Sequence, residues 1–271
     1  MTQKKTLQAD DANILNLIRF KYIPYWPLFI LLLCVSIVGA WFYLRHKVPI
    51  YESTATILIK DQKKGIEDAK MLESLNQLAT NKIIENEIEI IKSRSLMMQV
   101  IRNLHLYAPV FEEGSVITKS AYTTSPVLVE ARAPDELDRS AKIYFTFNLK
   151  GNEVDIKGKK FLIGQWVKMP FGEIRFINNP HYRNVKNAHP LYFTVSAPKY
   201  MVGGLTGALN AYSSNKSSTV INLKYQDESP ERGQDILNEL IKAYNKEAID
   251  DKNILAANTL EFVEDRLAVV A

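Results

Sequence analysis

Histidine, cysteine, carboxylate and glycine are the residues to test first for chemistry. His46, His105, His181 and His189 are the four histidines of this 271-residue chain. Metal sites need such ligands clustered at short, defined spacings, and these four stand far apart. His181 and His189 each neighbour a proline, which predicts exposed loop positions. Cys34 is the single cysteine and lies inside an apolar run, so no intrachain disulfide and no Cys–His nucleophile pair are expected. Gly203-Gly204-Leu205-Thr206-Gly207 imitates a phosphate-binding loop but lacks the Lys and the spacing that hold phosphates; it reads as a turn or helix start. There is no G-x-S-x-G elbow. Asp135/Glu136 and Asp250/Asp251 are carboxylate pairs of the kind found on solvated turns and helix faces, and nothing brings two of them across a glycosidic bond. No catalytic, cofactor-binding or metal-ligating residue is therefore assigned, and no cofactor is expected.

Without chemistry to position, the elements themselves carry the reading. A charged fraction of 24% and a hydrophobic fraction of 46% suit a folded chain. The net charge of +4 comes without a basic stripe interleaved with aromatics, so nucleic acid is not an expected partner. Residues 22–44 carry no charged side chain. At about 1.5 Å per residue they span roughly 34 Å, enough for a hydrocarbon core of about 30 Å. Tyr25 and Trp26 stand at one end and Trp41 and Tyr43 at the other, where amphipathic rings favour the interfaces. A cleaved signal peptide is the competing reading, with Val38-Gly39-Ala40 as an acceptable site. The apolar run continues past it, which favours an uncleaved anchor. Residues 1–21 precede the span, and the flanking Lys and Arg do not decide its orientation.

After the span, residues 48–60 alternate as a strand, with Tyr51, Ala55, Ile57 and Ile59 on the buried face. Residues 66–92 read as helix, with Ile84, Ile88 and Ile91 opposite Glu85, Asn86 and Glu89. Ser95 is predicted to cap a second helix carrying the stripes Leu96/Val100/Leu104 and Met97/Ile101. Residues 125–200 break into short β-rich runs divided by Gly, Pro and Asn, a hairpin-built sheet or sandwich. A strand follows with Thr219, Ile221, Leu223 and Tyr225 on one face. Ser229-Pro230-Glu231 then starts a long helix. Its stripe of Leu237, Ile241, Tyr244 and Ala248 meets a polar stretch at Asp250-Asp251-Lys252. It resumes as Ala256, Leu260, Val263, Leu267 and Val270 and still runs at Ala271, so a longer protein is expected. The predicted fold is α+β: a transmembrane helix, an α/β domain over 48–124 and 201–271, and an inserted β-rich module over 125–200.

Three stretches carry a family resemblance. "YESTATILI" follows the span; "NEIEIIKSRSLMMQVIRNLHL" runs from Asn86 to Leu106; and "STVINLKYQDESPERGQDILNELIKAYNKEAI" runs from Ser218 to Ile249. In this order they resemble the Wzz-type chain-length determinants, or polysaccharide co-polymerases, and most closely the long Wzc-like members. In those, a second span and a cytoplasmic tyrosine-kinase domain follow.

The resemblance implies a bacterial inner-membrane protein with a cytoplasmic N-terminus, a periplasmic α/β domain and no cofactor. It implies ring-shaped homo-oligomers that work with a polymerase and an outer-membrane export channel to set the length of a capsule, exopolysaccharide or O-antigen. Here the second span and the kinase are missing. The β-rich region is also longer than a minimal determinant needs, and it could contact partners or glycan. Two other functions compete: the extracytoplasmic sensor region of a membrane-anchored kinase, and a tethered glycan-active enzyme.

Overall fold

The computed structural model describes residues 21–22, 25–59, 82–114, 116–148, 151–183, 189–215 and 218–270. Most of the predicted helix over 66–92 lies outside them. The chain divides into two units, residues 1–48 and 49–271.

The first unit holds helix α1, Trp26–Arg45, with Pro27 in its first turn, where a missing N–H costs nothing. Every described residue of α1 is exposed, Cys34 included. An apolar helix with no protein around it needs another apolar solvent.

The second unit is α+β. Strand β1 (Tyr51–Leu58) pairs antiparallel with β12 (Val220–Asp227), which pairs with β11 (Leu209–Ser213). Residues 82–91 form helix α2, and α3 is Arg94–Asn103. Helix α5 runs unbroken over Pro230–Val270, straight through the polar stretch at Asp250–Lys252. Ser229 Oγ accepts from Arg232 N at 3.4 Å, as the Ser-Pro-Glu signature predicts for a helix N-cap.

The three helices and this sheet share one core. Ile57, Ile221, Leu223 and Tyr225 meet Leu96, Val100, Ile101, Ile236, Leu237, Leu240 and Tyr244. Tyr244 donates to Glu87 Oε2 at 2.7 Å and ties α2 to α5. Gly233 lets the first turn of α5 press on β1, since a Cβ there would lie 2.8 Å from Ser53 Oγ.

Nine more strands fill the middle of the chain: β2 (Val110–Glu113), β3 (Thr118–Ser120), β4 (Val127–Ala131), β5 (Ile143–Asn148), β6 (Glu153–Ile156), β7 (Lys159–Leu162), β8 (Val167–Met169), β9 (Gly172–Asn178) and β10 (Leu191–Phe193). They form two antiparallel sheets, β3-β2-β10-β5-β6-β7 and β4-β9-β8. Phe145 and Phe193 of the first lie 6.2 and 5.9 Å from Phe176 of the second, ring to ring, so the sheets face each other across an aromatic core. The first sheet already begins at β2, within residues 110–120.

Two local expectations change. The cap of α3 is Ser93, whose Oγ accepts from Leu96 N at 3.3 Å, not Ser95. Residue 93 is where the chain leaves α2 in extended geometry, as a cap requires, whereas Ser95 is already inside the helix. Tyr51 is exposed although it shares the parity of Ser53, Ala55 and Ile57. It lies at the strand's end, opposite Asp227, before the cover of α5 begins. Ser53 takes the buried place instead, against Gly233.

Candidate interaction surfaces

Among the described residues, α1 is the one helix long and apolar enough to cross a membrane, with a mean hydropathy of 2.3. Its C-terminal end carries an interface signature: Arg45 lies 5.2 Å over the Trp41 ring and Lys47 4.9 Å over Tyr43.

The second surface is the distal part of α5. Ile236, Leu237, Leu240, Ala243 and Tyr244 are buried. From Ile249 onward every side chain described is exposed. Leu255, Leu260 and Leu267 are 61–68% exposed and Val263 is 45% exposed. At about 1.5 Å per residue, residues 249–270 extend over roughly 33 Å of helix with no cover among the described residues. Each of these aliphatics would contribute about 1.5–3 kcal/mol if buried. A bare stripe of this size marks an interaction surface.

The third surface is the polar junction at the start of α5. Asp227, 4% exposed at its side chain, accepts Arg232 Nε at 2.9 Å and lies 2.9 Å from Arg232 Nη2. Arg232 Nη1 reaches Ser120 Oγ of β3 at 3.1 Å. One turn on, Tyr122 donates to Asp235 Oδ2 at 2.8 Å. Burial, and then this carboxylate, push the Tyr122 phenol well above its usual range. His181 stacks on Tyr122 at 5.1 Å, with Nδ1 3.4 Å from Asp235. Arg183 pairs with Glu231 at 2.7 Å. The loops of the sandwich are thus tied to α5 by charge-assisted bonds.

His181 is therefore not the free loop residue its neighbouring proline suggested, whereas His189 is exposed. No sequence motif marks this junction, because its members come from three separate stretches: the end of β3 and the loop after it, the loop after β9, and the passage from β12 into α5.

The other chemical candidates stay apart. Among the described residues, no group of three or more His, Cys, Asp or Glu is placed to hold a metal ion. His105 lies at the end of α3 with a positive φ, and burial lowers its pKa. Asp135 is held by Arg102 at 2.8 Å, and Asp250 and Asp251 are exposed on α5. Gly203–Gly207 lies inside a short helix, α4 (Val202–Ala208).

Four carboxylates of the sandwich are held in ion pairs. Glu113 pairs with Lys142, Glu130 with Arg175, Glu153 with Lys160 and Glu173 with Arg132. The Lys142 hydrogen bond holds the Glu113 carboxyl below its ordinary range, the opposite of what a general acid needs.

An apolar helix long enough to cross a membrane is thus followed by an α+β unit with a bare helical stripe. Residues 24–104 match the family "Chain length determinant protein", Wzz. The chain is also 21% identical to "Tyrosine-protein kinase ptk" of Acinetobacter johnsonii, over 97% of its own length and 39% of the relative's. Residues 24–104 are thus similar to the Wzz chain-length determinants, and the chain spans well under half of the curated relative it matches.

Proposed function

We propose that this chain is the N-terminal part of a Wzc-like polysaccharide co-polymerase. It acts as a scaffold that governs the chain length and export of a bacterial surface polysaccharide. In this reading α1 spans the inner membrane once, the second unit is periplasmic, and residues 125–200 form an insertion in the α/β domain. The chain works as a ring-like homo-oligomer beside a polymerase and an outer-membrane export channel. The observation that carries the proposal is the uncovered stripe Ala256, Leu260, Val263 and Leu267 in a chain whose first third matches Wzz. A scaffold acts by surfaces, and this is the largest apolar side-chain row that the fold leaves without a partner on α5. Deleting the gene should collapse the polymer's modal length on a gel, and the full-length gene should restore it. An unchanged length distribution after deletion overturns the proposal.

A second reading rests on the relative's name, a tyrosine-protein kinase. The chain would then be the extracytoplasmic sensor of a kinase beyond Ala271. Phosphotyrosine that tracks changes in this chain, with polymer length unaltered, would favour it.

A further inference from the structure

Between α4 and the start of α5 the second unit holds a cleft of about 680 Å³. This lies within the roughly 300–1,000 Å³ of small-ligand sites. Part of its lining is aromatic and apolar. Tyr200 is 69% exposed and is set by the short turn Pro198–Tyr200; Phe111 of β2 faces the same space, and Ile50 is 68% exposed at its rim. Phe111 stacks on Tyr192 at 5.4 Å, which fixes its ring.

The glycine run supplies a further stretch of wall. Gly204 and Gly207 line the cleft, and a Cβ built on either meets nothing within 4 Å. Glycine is a poor helix former, so three glycines in a seven-residue helix weaken it. No crowding by the fold requires them at these positions. What they leave is bare backbone that a ligand can approach closely.

Another part of the lining is polar. Gln226 and Glu228 are exposed on the turn from β12 to α5, beside the Asp227–Arg232 pair. Arg232 cancels one of the two carboxylates and leaves the cleft with one negative charge.

We propose that this cleft binds a segment of uncharged polysaccharide, a few hexose or N-acetylhexosamine rings, lying on the glycine wall of α4. The assignment rests on the co-polymerase reading above and names a ligand of its α/β domain. A pyranose ring has an apolar C–H face, which suits Tyr200 and Phe111. It also has a rim of hydroxyls, which suits Gln226, Glu228 and the outer N–H groups of Arg232. An anionic sugar or a phosphate would meet the residual negative charge and be disfavoured.

The test uses the whole 271-residue chain in detergent and three neutral probes: maltohexaose, cellohexaose and chitohexaose, with hexagalacturonate as the charged comparison. Saturation-transfer NMR and calorimetry should find at least one neutral probe bound and hexagalacturonate unbound. Tyr200→Ala should weaken binding at least tenfold. Gly204→Leu should do the same by filling the cleft; it removes no contact and raises helix propensity, so an unchanged melting temperature separates blocking from unfolding. Absence of binding by all three neutral probes, tighter binding of hexagalacturonate, or binding that both variants leave intact overturns the assignment. A lipid occupant is the competing outcome. The fluorescence that Tyr200→Trp adds over the unmodified chain in nanodiscs should be little quenched by brominated phosphatidylcholine, and strong quenching of that added fluorescence overturns the sugar assignment. None of these readouts involves polymer length, so they stand or fall separately from the scaffold reading.

Discussion

The two halves of α5 are made of the same kind of sequence and have opposite fates. Leu237, Leu240 and Tyr244 in the first half are at most 7% exposed, while Leu255, Leu260 and Leu267 in the second are 61–68% exposed. Both halves carry apolar residues in steps of three and four, so helical periodicity alone does not distinguish them. The difference lies in what is available to cover them. The first half has β1, β12 and α3 beneath it. The second half has outrun the sheet, whose strands β1 and β12 are eight residues each, about 27 Å at strand rise. A helix of 41 residues is about 60 Å long. The fold therefore uses one half of the helix as core and presents the other as surface.

That contrast can be broken in several places. The largest effect is expected where the first half is anchored. Arg232→Ala strands the buried Asp227 carboxylate and should cost about 3–5 kcal/mol in chemical denaturation. Leu240→Ala should cost about 2–5 kcal/mol, since it opens a cavity among Met97, Val100 and Ile236. Leu260→Ala, the same chemistry on the other half, should stay within about 0.5 kcal/mol in the isolated chain. Equal losses for the two leucines would erase the distinction.

Gly233→Ala should destabilise by about 1–3 kcal/mol, because its Cβ would press on Ser53 Oγ. Adding Ser53→Ala should recover part of that loss; if it recovers none, the close approach of α5 to β1 is not the cause.

The smallest effect is invisible at neutral pH. Burial raises the Tyr225 phenol to about 12. A phenol whose folded pKa exceeds its unfolded value near 10 contributes stability that is complete below pH 10 and is lost as the pH climbs toward 12. Melting temperatures should therefore fall more steeply between pH 10 and 12 for the unmodified chain than for Tyr225→Phe. Parallel curves would contradict this.

The elements that were legible in the sequence are those whose pattern is local. The apolar span, the alternation of β12, the Ser229-Pro230 start and the stripes of α3 each follow from a few neighbouring residues. Strands β2, β3, β7, β8 and β11 were not read, being three to five residues long and defined by their partners rather than by their own pattern. The same holds for the surfaces. The bare stripe of α5 is periodic and could be read. The junction of Tyr122, His181 and Asp235 could not, since it joins residues from distant parts of the chain, Tyr122 and Asp235 being 113 positions apart. The glycines of α4 were visible as a run, but only the fold shows that they wall a cleft.

The central claim is that the distal half of α5 exists to be covered by another chain or segment of the assembled protein. Leu260→Asp with Leu267→Asp in the full-length protein tests it most directly, read as particle mass in detergent by light scattering, with polymer length scored on a gel. The account predicts loss of the high-mass assembly, a shortened or scattered length distribution, and a melting temperature of the second unit that does not move. Assemblies of unchanged mass making polymer of unchanged length would contradict it.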